Sequence, residues 1–179
     1  MKIKDSIEIE EPNTSEDEVV SGEEILTLME DLGDYSESNE TLKLLEEENS
    51  IVHIQISPII AAGTSDDMII EETKNSISHV TLLCFSFSNI NEIKITTIPL
   101  EMKFGTPGNI NTVKYSQLGK FKETAFLTRE KVLKIVEKEV NINKFESLYD
   151  NSFGVKGVPN SSMEKLIYNV DFYNKISKE

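Results

Sequence analysis

The side chains that most often carry catalysis or bind metals are scarce in this chain. Its only imidazole and thiol groups belong to His53, His79 and Cys84. A metal site needs several such ligands together, and His79 and Cys84 lack the i, i+4 spacing that places two ligands on one face of a helix. Cys84 lies in the apolar run 82–85, where a thiol usually packs without reacting. We therefore predict no metal, no cofactor and no catalytic residue.

Acidic side chains cluster at Asp66, Asp67, Glu71 and Glu72. Paired carboxylates could perform acid–base chemistry. Acidic residues are, however, favoured in the first turn of any helix because they interact well with its dipole. We interpret the cluster as a helix start, and we keep a carboxylate-dependent enzyme as the second alternative for function.

The glycine-containing segment 105–109 does not have the pattern of a phosphate-binding loop. It lacks the Gly-Lys-Ser/Thr ending that places a lysine on the phosphates. Predicted strands flank it on both sides, so no helix N-terminus is available to hold an anion. We predict a hairpin loop and no small-molecule substrate.

A basic stretch with aromatic residues covers residues 113–138. It contains seven lysines and arginines against three glutamates. This composition is typical of nucleic-acid-binding surfaces, although a solvated strand and helix would look the same. We expect no direct nucleic-acid binding, because the acidic N-terminal part would compete with phosphates. The residues concerned are Lys114, Lys120, Lys122, Arg129, Lys131, Lys134 and Lys138, near Tyr115, Phe121 and Phe126.

The net charge of −14 is confined to one end of the chain. Residues 1–50 contain 17 acidic residues and three lysines, whereas residues 51–179 contain 15 acidic and 15 basic residues. A block of one sign repels itself and is typical of an interaction tail. We therefore predict an acidic interaction arm at 1–50 and a globular domain at 51–179.

The arm contains two candidate amphipathic helices. Ser21 and Glu24 have the spacing of a capping box, and Gly33 is a typical helix end; a second short helix is predicted within residues 40–48. Such a helix can dock in a groove of a partner, or it can pack on its own domain. The predicted partner-binding residues are Glu23, Glu24, Ile25, Leu26, Leu28, Met29 and Leu32.

The domain is predicted to be α+β, with a small, mostly antiparallel sheet in the order β-α-β-β-α-α packed by helices. A helix is favoured over a strand at residues 79–87. In the strand 93–98 the apolar alternation changes phase at Thr96 and Thr97, which suggests a bulge, and Pro99 suggests an edge or bulged position. The remaining predictions are a strand at 51–56, a strand region at 113–127 interrupted at Gly119, a helix after Thr128 and a helix after Ser161.

Composition points to a soluble cytoplasmic protein. A single cysteine fits a reducing compartment, no apolar run has the length of a membrane span, and the charged N-terminus does not look like a signal peptide. An upstream signal would make the protein extracytoplasmic. The abundance of Ile and Asn and the absence of Trp suggest a low-GC bacterium or a mobile element.

These observations predict a non-enzymatic protein-binding or inhibitory protein. Its acidic arm would engage a basic protein surface, such as that of a nucleic-acid-handling enzyme. The first alternative is an extracytoplasmic accessory domain of a lipoprotein or of a conjugation or secretion apparatus.

Overall fold

The computed structural model describes residues 21–33, 35–48, 51–104, 113–150 and 158–178, with only the backbone described for residues 46–48. The helices are α1 (Gly22–Leu32), α2 (Asp66–Phe87), α3 (Arg129–Val140), α4 (Ser161–Ile167) and α5 (Val170–Ile176). The strands are β1 (Leu42–Glu48), β2 (Ile51–Ile56), β3 (Ile59–Ala61), β4 (Glu92–Thr97), β5 (Leu100–Phe104), β6 (Val113–Gln117), β7 (Glu123–Thr128), β8 (Tyr149–Asp150) and β9 (Val158–Pro159). The chain is a single α+β fold, as predicted.

The main sheet has four strands in the order β1-β2-β4-β7. The central pair β2–β4 is parallel and both outer pairs are antiparallel. Parallel neighbours need a long crossover, which α2 provides. One face of this sheet is apolar and forms the core with the helices; its residues are Leu42, Val52, Ile54, Ile56, Ile93, Ile95, Ala125 and Leu127.

A second sheet, β3-β5-β6, continues the main sheet and is called the extension here. The chain passes from β2 into β3 across Pro58 and from β4 into β5 across Pro99. The parallel register is the same on both sides of this bend, since Ile56 pairs with Thr97 and Ile59 pairs with Leu100. The strands of the extension are therefore prolongations of the strands of the main sheet.

Pro99 explains why the neighbouring strand is interrupted. Leu118 N–H donates to Pro99 O at 2.8 Å, but proline has no N–H to return the bond. Leu118 O instead accepts from Phe121 N–H at 2.9 Å, which closes the 3-10 turn Gly119–Phe121 between β6 and β7. The predicted interruption at Gly119 is confirmed. The predicted edge position is wrong, because β4 and β5 are paired on both sides.

The phase change at Thr96 and Thr97 is not a bulge. The register of β4 with both neighbours runs without a shift through Thr97. Alternation continues along the strand, and the apolar residues change from one face of the sheet to the other.

The central helix is α2, which runs to Phe87 and confirms the helix favoured at residues 79–87. It begins after Ser65, whose Oγ accepts from Met68 N–H at 3.4 Å. Arg129, at the start of α3, donates from its guanidinium to the carbonyls of Ser88 and Ile90 just beyond the end of α2. These bonds hold the two helices together.

Residues 21–48, which the sequence assigned to the arm, contribute a helix and a strand to the domain. The second predicted helix, at residues 40–48, is wrong: residues 42–48 form β1, which pairs with β2 antiparallel. Backbone hydrogen bonds to β2 outweigh the helix preference of this Leu- and Glu-rich segment, which is too short to form a stable helix alone. A boundary at residue 50 would separate β1 from its own sheet.

Near the C-terminus, α4 is capped by Asn160, whose Oδ1 accepts from the N–H groups of Ser162 and Met163. A kink at Tyr168 and Asn169 separates α4 from α5. Among the described residues, no helix combines the length and apolar character required to cross a bilayer.

Candidate protein-interaction face

The predicted binding helix α1 faces the core of its own domain. The predicted capping box is present, with Ser21 N–H donating to Glu24 Oε2 at 2.7 Å and Glu24 N–H donating to Ser21 Oγ at 3.3 Å. Ile25, Leu26 and Met29 are buried in the core. Because they are buried, these three side chains cannot contact a partner while α1 is docked. Full burial of each stabilises the docked state by about 1.5–3 kcal/mol.

What α1 presents to solvent is negative charge. Of the predicted partner-binding residues, Glu23 and Glu24 are exposed, while Leu28 and Leu32 are partly buried. The following turn adds more carboxylates, and Lys43 is the one basic residue among the described residues 21–48. The exposed acidic residues are Glu23, Glu24, Glu30, Asp31, Glu37 and Glu40.

The histidines and the cysteine do not converge. His53 Nε2 contacts Thr96 Oγ1 at 3.0 Å on β4, whereas His79 lies on α2. Cys84 is fully buried, and burial raises the pKa of its thiol to about 12. Within the described parts of the chain, no group of three or more His, Cys, Asp or Glu side chains could hold a metal ion.

The acidic cluster at the start of α2 is spread over an exposed surface. Asp66 forms an ion pair with Lys120 at 2.8 Å. Glu72 lines a cleft of about 310 Å³ together with His79. Asp66, Asp67 and Glu71 do not line this cleft.

Three of the seven basic residues of the stretch have a partner within the domain. Lys120 pairs with Asp66, Lys134 pairs with Glu130, and Arg129 holds the carbonyls beyond α2. Phe121 is buried in a small cluster with Ile60 and Ile69. Phe121 of the predicted aromatic set is therefore not presented to solvent, whereas Tyr115 and Phe126 are exposed.

The extension has an apolar face that points away from the helices. Ile60 packs on Ile69 of α2, so the helix side of the extension is the side of Ile60. Side chains alternate along a strand, which places Ile59 on the opposite side. The cross-strand pairs Met102–Tyr115 and Phe104–Val113 lie on that same side, in register with β3. Phe104 is 69% exposed and Tyr115 49%.

Strand β6 forms one edge of the extension in the described part of the chain, and all five of its residues are exposed. Antiparallel pairs alternate between those that exchange hydrogen bonds and those that do not. Because Leu118 bonds to Pro99, the bonded pairs further along are Ser116–Glu101 and Lys114–Lys103. The backbone groups of the alternate residues point outward; these residues are Val113, Tyr115 and Gln117.

An acidic turn stands beside the apolar face. A cleft of about 390 Å³ is lined on one side by Ser38, Asn39 and Glu40 and on the other by Leu100, Tyr115 and Gln117. The turn is fixed because Thr41 Oγ1 accepts from Ser36 N–H at 2.9 Å, and Ser57 N–H donates to Thr41 O at 2.8 Å. The fixed turn holds the Glu40 backbone next to the apolar face.

Sequence reasoning did not find this face. The signal was present in the phase change after Thr97, which moves the apolar residues to positions 98, 100, 102 and 104. A bulge and a strand with a solvent-facing apolar side give the same pattern, so the sequence alone does not distinguish them. In the sequence, Tyr115 stands out only as part of the basic stretch.

The chain matches no protein-family model, and neither a curated protein nor a solved structure matches it. Function must therefore be inferred from the chain's own residues.

Proposed function

We propose that this protein is a non-enzymatic binding protein that engages a basic segment of another protein through the apolar face of the extension. The observation that carries the proposal is the outward apolar face formed by Ile59, Met102, Phe104, Val113 and Tyr115. Contiguous exposed apolar surface is uncommon on monomeric proteins and is typical of interaction sites.

The two aromatic side chains supply the energy for binding. Phe and Tyr each bury about 150–250 Å² when covered, and Tyr is among the residues that dominate interface energetics. Phe104 and Tyr115 lie on adjacent strands of the same hairpin, two residues apart in register. A partner that covers one therefore also contacts the other.

Charge defines the chemistry of the partner. Glu40 lies at the cleft beside Tyr115, and the exposed residue Glu37 belongs to the same turn. The whole chain carries a net charge of −14. Long-range attraction speeds association with a positively charged protein and repels a nucleic acid. The segment that fits combines apolar side chains with lysine or arginine.

The proposal is tested by photo-crosslinking in the cells that make the protein. Benzoylphenylalanine replaces Tyr115 in the full chain and, as a matched control, replaces Tyr168, which is 72% exposed at the end of α4. We expect a protein adduct at position 115 and none at 168. The crosslinked peptide, read by mass spectrometry, should belong to another protein and carry lysine or arginine beside apolar residues.

Equal adducts at both positions would mean non-specific contact and would overturn the proposal. A crosslink to another copy of this chain would also overturn it.

A charge variant tests the second half of the proposal. Replacing Glu37 and Glu40 by Gln should weaken binding of the crosslinked partner by about two- to fivefold at low salt, because exposed ion pairs contribute about 0.5–1 kcal/mol. The difference should vanish in about 1 M salt, where charges are screened within a few ångströms. An unchanged affinity at low salt would contradict the assignment of a basic partner.

A further inference from the structure

We propose that the partner segment binds as an added β-strand along the free edge of β6, a mode that rests on the proposed function and specifies its geometry. The edge is defined by Val113, Tyr115 and Gln117, whose backbone N–H and C=O groups point away from β5. Within the described part of the chain no other strand pairs with β6.

The same three residues carry both parts of the recognition. Their backbone groups face the edge, and their side chains lie on the apolar face with Leu100, Met102 and Phe104. An extended segment that pairs with the edge therefore places every second side chain on this face. In strand addition, main-chain hydrogen bonds supply affinity and pockets for alternate side chains supply specificity.

The cleft next to Gln117 is a pocket for one of those alternate side chains. It opens between the apolar face and the turn that contains Glu40, and its volume of about 390 Å³ is large enough for a long side chain. Lysine and arginine combine an apolar stem with a charged end. A stem against Tyr115 and a charge near Glu40 would match both walls of the cleft. The segment is therefore extended, with apolar residues alternating and one basic residue on the same side.

The opposite face of the hairpin does not compete for this segment. Lys103 and Lys114 form a cross-strand pair on that face, and Lys103 also contacts Glu101 at 2.6 Å. Charged residues on an edge strand oppose uncontrolled pairing between strands. Because Lys114 points to the other face, it discourages pairing of like edges without covering Tyr115.

Amide hydrogen exchange of the full-length protein tests this geometry directly. The probe is a set of 12-residue peptides selected by phage display against the full chain. When a selected peptide binds, exchange at the amides of Val113, Tyr115 and Gln117 should slow at least tenfold. Exchange at Lys114 and Ser116 should change little, because these amides already bond to β5. Protection without this alternation would overturn strand addition.

A pair of substitutions at one position provides the second readout. Gln117→Pro removes an outward N–H without breaking a bond to β5, whereas Gln117→Ala keeps it. We expect about tenfold weaker peptide binding for Gln117→Pro, as expected for loss of one hydrogen bond, and less than twofold for Gln117→Ala. Selected peptides should show apolar residues with a period of two. A period near 3.6, or equal effects of the two variants, would overturn the proposal.

The two proposals fail in different ways. If Tyr115→Ser abolishes peptide binding and Gln117→Pro does not affect it, the apolar face binds but strand addition is wrong. If neither variant matters, the proposed function fails as well. Slow exchange at the outward amides of the free protein, with sedimentation as a dimer, would show that a second copy occupies the edge, and would overturn both.

Discussion

The strands of the extension continue strands of the main sheet, but the two sheets place their apolar residues on opposite faces. In β4, Ile93 and Ile95 point toward the helices and are fully buried. In β5, the continuation of the same strand, Met102 and Phe104 point away from the helices. The polar residues are reversed in the same way: Lys94 lies on the outer face of the main sheet, and Glu101 lies on the helix side of the extension.

In the proposed function, this reversal separates stability from recognition along a single strand. Apolar residues on the helix side remove surface from water when the chain folds. The exposed apolar side chains on the outer face of the extension, Phe104, Val113 and Tyr115, contribute less to folding and create an aggregation hazard. The high net charge of −14 offsets that hazard by keeping molecules apart. In the proposed function, the partner covers this apolar face.

The largest effect on the free energy of unfolding is expected from substitution of a core residue that packs under the main sheet. Phe85 is fully buried on α2, with its ring 5.4 Å from that of Phe145 and the Arg129 guanidinium 5.1 Å away. Phe85→Ala should lower the free energy of unfolding by about 3–5 kcal/mol, a large share of the roughly 5–15 kcal/mol of a typical domain. Urea denaturation measures the loss. A loss below about 1 kcal/mol would contradict the assigned core.

The next largest effect decides whether α1 belongs to the core. Met29 is fully buried, so Met29→Ala should lower the free energy of unfolding by about 2–5 kcal/mol. Asp31→Ala, at an exposed position of the same helix, should change it by no more than about 0.5 kcal/mol. Equal, small effects in urea denaturation would show that α1 is a detachable arm, as the charge distribution alone suggested.

Much of the fold could be predicted because local signals and tertiary contacts agree. The strand at 51–56 has a run of β-branched residues, and α2 has both a serine cap and a long apolar stripe. The helix prediction for residues 42–48 is wrong because a helix this short is marginal on its own even with good helix formers, and pairing with β2 decides the outcome. Net charge alone does not show that α1 packs on the core, because the acidic residues of α1 lie on its exposed side.

The candidate site could not be predicted because alternation of apolar and polar residues does not show which face of a strand is exposed to solvent. Apolar residues at positions 100, 102 and 104 identify one face of a strand, but only packing shows whether that face meets the core or the solvent. Ile60 and its contact with Ile69 settle this question, and both lie far from β5 in the sequence. The sequence alone does not reveal that contact, so it does not show which face of β5 is exposed.

A smaller effect is expected from the buried thiol of the core. Burial raises the pKa of Cys84 to about 12, whereas an unfolded cysteine ionises near about 8.5. Above the unfolded pKa the unfolded state loses its proton first, so stability should fall by roughly 1 kcal/mol per pH unit until the folded pKa is reached. Urea denaturation at pH 8 and pH 10 measures this slope. Cys84→Ala is the control, and identical slopes in the two proteins would contradict a dry environment around the thiol.

The smallest effect on stability is expected where the effect on binding is greatest. Phe104→Ser and Tyr115→Ser alter exposed side chains on the outer face, so each should change the free energy of unfolding by no more than about 0.5 kcal/mol. Ile95→Ser, on the helix side of the preceding strand, is the matched control and should be severely destabilising, because it places an unpaired hydroxyl in the core. Both outer variants should also remain soluble at higher concentration than the parent protein. If either one destabilises the fold as much as the control, the outer face is part of a core, and the contrast between the two sheets does not hold.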